Sequence, residues 1–499
     1  MTTQVRTEDV IATSRAYIRG APATHLWFVP AHRVRNAAFV VSVIAFLLAP
    51  FWRPYSLLLA PGMVLTGVVT WHLLQANRRV PWILGVMALM ACLQWIVAPW
   101  LNYMLQESIT ISRMPLPADT YFAYFVPAAF VYIIGLYLPL LGTVVRPPPE
   151  TTVVPASRAL RMVCDAMLFG GVFLRVAVEP YTPGSVRYVL ALLGHLMYVG
   201  AFARVAMGAS GWQWRVALVL VVEFGINAID AQFADALIWM LLSTSLILYR
   251  RRMKPMVAGA LGVFGFVMLF AINGFKGGYR DSLRYEGIEE SERPGVVATG
   301  VASFALSPSR LFSSHNIAMN ISRLNEGWIA GRVLIWVPYR EPYARGETLR
   351  TAVIATLVPR FFNADKMVAG GRDNVPRFAG LTLNGTTSMN LSIPGEMYAN
   401  YGFMGGLLGT FILALLLGGV FRIFVRWGRT TPLAYAWAPY LLFGAVSAEM
   451  GIYEVIGTLG KASMLAVFFI FGSQAWRAQL PLGVRRLLSF SGSRPRGFA

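Results

Sequence analysis

Apolar residues run almost continuously along this chain, with one long interruption. Membrane-length apolar runs fall near 37–52, 56–75, 81–101, 121–145, 162–178, 188–207, 216–233, 236–249, 256–273, 397–421, 432–448 and 456–473. Most have the ~20 residues needed to cross ~30 Å of hydrocarbon. The first and eighth are short, as tilted neighbours or half-spans would be. The pattern predicts an all-α, polytopic membrane protein of about 12 transmembrane helices. It divides the chain into a basic segment at 1–36, helices 1–9 over 37–273, one large loop over 274–393, helices 10–12 over 394–473 and a basic tail at 474–499.

Inside the loop, from Val297 to Phe362, apolar clusters alternate with single Arg residues. Ile317, Ile321 and Leu324 share one helical face, which predicts short helices lying on or dipping into a membrane surface. Ala364 to Ser392, rich in Gly, Asn and Thr, reads as irregular loop.

Composition agrees with the membrane reading: 56% of residues are apolar and only 13% charged. Basic residues set the orientation. With the N-terminus cytoplasmic, inner segments hold 24 Lys and Arg and the short outer loops hold only Arg53, Arg113 and Arg187. This positive-inside bias puts both termini in the cytoplasm and the long loop outside, in the periplasm if the membrane is a bacterial inner one. The formal net charge of +20 is thereby explained by inner loops facing anionic lipid, and no nucleic-acid partner is expected. Cys92 and Cys164 lie in different apolar runs, so no disulfide is expected in the loop. No cleavable signal sequence is visible, and the first run reads as an uncleaved anchor. The linker Arg146-Pro147-Pro148-Pro149-Glu150 is extended by its prolines. No internal repeat is visible, which argues against a transporter built from duplicated halves.

Fourteen of the 43 Lys and Arg lie within 276–393. Seven of them form two clusters at its ends: Lys276, Arg280 and Arg284, then Arg360, Lys366, Arg372 and Arg377. Next to a membrane, guanidinium forks suit bidentate phosphate binding, so the clusters are candidates for cradling a lipid-linked diphosphate. Arg175, near the outer end of the fifth run, extends the set; pairing with Glu223, Asp230, Glu449 or Glu454 is the alternative for it and for Lys461. The acidic run Asp281, Glu286, Glu289, Glu290 and Glu292 reads as a solvated turn rather than a cation site. The five scattered histidines, with no Cys-x-x-Cys, predict no metal centre and no cofactor. Trp328, Trp336, Tyr339, Tyr343, Phe361 and Phe362 suit either sugar stacking or interfacial anchoring.

The loop ends in Gly395-Glu396-x-Tyr398-x-Asn400-Tyr401-Gly402, followed by Gly405, Gly406 and Gly409. Glu396 opens a helix, where the dipole alone favours a carboxylate, and Gly405 with Gly409 forms a small-xxx-small packing face. Together with Pro359-Arg360-Phe361 and Lys366, this run resembles the oligosaccharide repeat-unit polymerases, the Wzy-type O-antigen and exopolysaccharide polymerases, over residues 355–420 and in the plan of many spans with one large outer loop. The resemblance implies a glycosyltransferase that moves a growing glycan from undecaprenyl diphosphate onto a lipid-linked repeat unit, with membrane lipid, a chain-length regulator and a flippase as partners. An acceptor hydroxyl then needs a base, for which His315 and Glu396 are the candidates. An O-antigen ligase delivering glycan to lipid A core and a lipid-linked oligosaccharide flippase are the rival functions. The ligase shares the donor and the cations, whereas a flippase would gather its charges in a central cavity.

Overall fold

The computed structural model describes residues 24–25, 56–76, 83–105, 109, 112–145, 157–182, 184–229, 234–250, 265, 267–268, 270–276, 278–279, 292–358, 370–383, 388–428, 431–481 and 484. The first predicted span, most of the ninth and the candidate residues Arg280, Arg284, Arg360 and Lys366 lie outside the described residues.

The described chain is helical apart from a two-residue antiparallel ladder pairing β1 (Thr24–His25) with β2 (Val144–Val145). Its first helices are α1 (Leu59–Ala76), α2 (Ile83–Met104, with a widened turn at Leu93–Val97), α3 (Ala118–Tyr137), α4 (Arg158–Phe173), α5 (Gly184–Gly194), α6 (Leu196–Met207), α7 (Trp212–Ile229) and α8 (Ala234–Arg250). Within the interruption come α9 (Arg293–Ala305), α10 (Pro308–Leu311), α11 (Ser314–Leu324), α12 (Gly327–Trp336), α13 (Glu347–Leu357) and α14 (Asn374–Ala379). Then follow α15 (Ile393–Gly428), α16 (Ala438–Leu442), α17 (Ile452–Gly472) and α18 (Gln474–Arg477). Five stretches are long and apolar enough to cross a membrane: α2, Ala118–Leu140, Val186–Met207 across α5 and α6, α15 and α17. The chain is therefore a helical membrane protein.

Helices that cross closely do so over glycine. A Cβ on Gly135 of α3 would lie 2.7 Å from the Phe411 carbonyl oxygen of α15, and one on Gly418 of α15 would meet the backbone of Leu136. Absence of the side chain lets the two backbones touch, the usual device where lipid offers no hydrophobic drive between helices.

Two predicted spans take other forms. The run 432–448 is a broken thread: a 3₁₀ turn at Pro432–Ala436, α16, then a second 3₁₀ turn at Phe443–Ala445. Pro432 and Pro439 each lack the N–H that a continuous helix would use, and Trp437 and Tyr440 are buried in the protein core. The span expected from 397 begins at Ile393 and is two pieces, because Gly402 has φ 69° and ψ −161°, a conformation open in practice only to glycine. The chain folds back there, since a Cβ on Gly406 would lie 3.0 Å from the Tyr398 backbone and one on Gly409 would lie 2.6 Å from Met397 Sδ. The small-residue face thus packs against the preceding short helix, residues 393–401.

The interruption is folded onto the membrane helices. Ser313 caps α11, its hydroxyl accepting from the Asn316 N–H at 3.2 Å, and the predicted apolar face puts Ile317 and Ile321 against Ile109, Leu101 and Leu105. In α12, Ala330 meets Gly395 at the head of α15, while Thr356 of α13 lies against Gly460 of α17. The stretch predicted as irregular includes the six-residue α14, bounded by Gly371 and Gly380 at positive φ.

Candidate functional site

The heads of α15 and α17 each carry a carboxylate in the first turn, Glu396 and Glu454, where the helix dipole favours negative charge. Glu396 is 1% exposed. Its Oε1 accepts from Asn374 Nδ2 at 3.2 Å and its Oε2 from the Ile452 backbone N–H at 2.8 Å. The Thr348 hydroxyl also bonds to it. Glu454 Oε1 accepts from the Gly370 N–H at 2.7 Å. Gly451 lies between the two acids: a Cβ there would sit 2.9 Å from Glu454 Oε2 and 3.0 Å from Glu396 Oε2.

The rest of the motif anchors the interruption as well. Asn400 Nδ2 donates to Thr348 Oγ1 at 2.8 Å and its Oδ1 accepts from the Gly346 N–H at 3.0 Å. The N–H groups of Ala344 and Arg345 donate to the carbonyls of Ala399 and Asn400, each at 3.0 Å. On the other side, the Tyr124 hydroxyl donates to the Pro394 carbonyl at 2.9 Å. A buried carboxylate that accepts from several donors and a buried amide that both donates and accepts therefore tie residues 344–348 and 370–374 to two membrane helices. Each such hydrogen bond contributes about 0.5–1.5 kcal/mol net.

Arg372 belongs to this seat. It is exposed in the turn Gly370-Gly371-Arg372-Asp373, whose first residue is held by Glu454 and whose successor Asn374 is held by Glu396. Arg377 lies one turn further on and spends its fork on the protein: Nη1 and Nη2 donate to Glu347 at 2.9 and 3.0 Å, Nε donates to Glu341 at 2.6 Å, and the guanidinium lies over the Phe378 ring. Hydrogen bonding from Arg377 lowers the pKa of Glu347.

The other predicted residues sit elsewhere. His315 is exposed in the first turn of α11. Lys276 lies in a helical stretch, residues 271–276, that packs on α11 through Gly274 and Asn316, and its charge acts on Glu449. Arg175 is buried: Nη1 donates to Glu179 at 2.6 Å and Nη2 to Glu223 at 3.1 Å. Arg372, Arg377 and Glu396 are thus brought together, with Lys276 and His315 in a second group and Arg175 in a third.

Sequence reasoning missed Glu326. It precedes α12 and hydrogen-bonds to Glu449, the two carboxyls sharing a proton. Burial and then the neighbouring Glu449 charge raise the Glu326 pKa well above the usual carboxylate range. The sequence signal was a Glu directly before an apolar helix, in Asn325-Glu326-Gly327. Asn374 and Thr348, as partners of Glu396, had no sequence signal.

Compared with family models, with curated proteins and with solved structures, the chain finds no match.

Proposed function

We propose that this chain is a membrane-embedded glycosyltransferase that transfers a growing glycan from undecaprenyl diphosphate onto a lipid-linked repeat unit at the periplasmic face of a bacterial inner membrane. The proposal includes twelve spans, both termini in the cytoplasm and the 274–393 loop outside. The observation that carries it is the seat of Arg372, an exposed cation on a turn pinned from both sides by the carboxylate-bearing heads of α15 and α17. A preorganised cation at the end of membrane helices is what a departing lipid diphosphate requires, because charge develops there in the transition state.

Arg280, Arg284, Arg360 and Lys366 complete the phosphate cradle in this reading, with Lys276 at its margin. Arg175 and Arg377 already face protein carboxylates, so their role is to hold the scaffold. The same logic separates the two candidate bases. Both oxygens of Glu396 are occupied by donors of the fold, so Glu396 positions the loop and His315, exposed on α11, takes the acceptor proton.

The test is complementation of a deletion strain. Cells lacking the protein should accumulate single repeat units and lose long chains. Arg372→Lys should fail nearly as badly as Arg372→Ala, because an ammonium cannot reproduce the bidentate fork. Full-length polymer from Arg372→Ala at unchanged protein level would overturn the assignment. Long chains persisting on undecaprenyl diphosphate, with none passed to lipid A core, would identify a ligase instead.

A further inference from the structure

A second polar centre lies among the membrane helices, on elements other than those that seat Arg372. The widened turn Leu174–Val178 at the end of α4 turns Arg175 onto Glu179 and Glu223. Asn227, one turn along α7, donates to Glu223 Oε1 at 3.1 Å. His195, at the break between α5 and α6, brings its ring to 3.7 Å from the same oxygen. Beside this network is a cavity of about 470 Å³, with Arg175, His195, Asn227 and Asp235 on its polar side and Tyr188 and Tyr440 among its aromatic walls. The volume is in the range of small-molecule sites, about 300–1,000 Å³.

Its unsatisfied atoms carry the argument. Arg175 Nε, His195 Nε2, Glu223 Oε2, Tyr198 Oη and Trp239 Nε1 are buried with no hydrogen-bond partner among the described residues. Arg175, His195 and Trp239 line the cavity, and Glu223 and Tyr198 sit against them. Burying such atoms unpaired is costly, and these five lie in or against the wall of one cavity. Trp239 is held rigid, stacked on Tyr198 at 3.8 Å and on Phe443 at 4.5 Å between ring centroids.

We propose that this cavity binds a neutral, polyhydroxylated ring. Charge argues against a ligand with a net charge. Glu179, Glu223 and Asp235 stand against Arg175 and Arg187, with Lys461 held 4.3 Å over the ring of Tyr188. The ledger is near balance and favours neither a cation nor an anion. Unspent donors and unspent acceptors lie side by side, the arrangement vicinal hydroxyls can satisfy at once. Flat aromatic walls suit the C–H face of a ring. The inference rests on this cavity alone and holds whether or not the chain is a transferase.

Full-length protein in nanodiscs, probed by saturation-transfer NMR with a panel of methyl hexopyranosides, tests it. Choline, methyl phosphate and glycine betaine serve as cationic, anionic and zwitterionic probes. At least one methyl glycoside should receive saturation on its ring protons. Its affinity should fall at least tenfold in Asn227→Leu and in Tyr188→Ala, the latter at a half-exposed position chosen so that the fold survives. Arg372→Ala should bind as wild type does, which separates this site from the phosphate cradle. Displacement of the methyl glycoside by the same ring carried on a lipid in the disc would mark the source as a membrane headgroup. No displacement would mark a soluble sugar, and either result supports the site. Binding of the charged probes alone, binding indifferent to both cavity substitutions, or no binding by any glycoside would overturn the proposal.

Discussion

The backbone N–H of Ile452 donates to Oε2 of Glu396 at 2.8 Å, so the first turn of α17 is capped by a carboxylate from the first turn of α15. Asn374 closes the other side of that carboxylate. One buried acid thereby joins two membrane helices to the α14 segment of the interruption that precedes them.

The first prediction follows from that saturation. Glu396→Gln replaces one acceptor oxygen with a donor that faces another donor, leaving a buried group unsatisfied. This should cost about 1–3 kcal/mol and lower the thermal midpoint of the purified protein, with any loss of glycan transfer tracking the loss of fold. An unchanged midpoint with abolished transfer would instead make Glu396 the base.

A second prediction concerns pH. Glu326 keeps its proton to higher pH in the folded state than in the unfolded one, because burial and Glu449 disfavour the charge. Between those two values the native state binds more protons, so stability falls as pH rises. The contribution is complete below the ordinary carboxylate value of 4.5 and is lost as pH rises through the folded one. Glu326→Gln keeps a donor for Glu449 and removes the titration. Its thermal midpoint should vary less with pH than that of wild type and exceed it at mildly alkaline pH. Parallel melting curves for the two proteins across the pH series would count against a shared proton.

The helices were largely legible in the chain, and the site was legible only in part. Runs such as 56–75, 81–101 and 456–473 match α1, α2 and α17 because an apolar stretch in lipid must satisfy its own backbone as helix. The run 432–448 misled because hydropathy does not register the missing N–H groups of Pro432 and Pro439. Glu396 stood out as a helix-opening acid, yet its partners Asn374 and Ile452 are 22 and 56 residues away. Only tertiary folding brings them together. Arg175 illustrates the same limit: its position near a span end was readable, but its commitment to Glu179 and Glu223 was one of several possible pairings until the helices were in place.

The third prediction contrasts two arginines. Removing Arg175 leaves Glu223, itself fully buried, without its charge partner, which should cost about 3–5 kcal/mol. Arg377 pairs with Glu347 at a site more than half exposed on the acid's side, where such pairs contribute about 0.2–1 kcal/mol. Arg175→Ala should therefore cut the yield of folded protein sharply, while Arg377→Ala shifts the melting midpoint only slightly. Comparable losses in the two variants would mean that the Arg377 cluster is more strongly coupled than its exposure implies.

The fourth prediction uses two adjacent glycines. A Cβ on Gly418 would run into the backbone of Leu136, whereas one on Gly419 meets nothing within 4 Å. The backbone of α3 cannot rotate away as a side chain would, so Gly418→Ala must push α3 and α15 apart, at about 1–3 kcal/mol. Gly419→Ala removes backbone freedom from the unfolded chain without a clash and should be neutral or stabilising by up to ~1 kcal/mol. Thermal unfolding of the two variants in the same detergent reads the difference directly. Equal midpoints would show that the α3–α15 crossing is looser than backbone contact at Gly418 requires, and that this helix pair is held by its side chains instead.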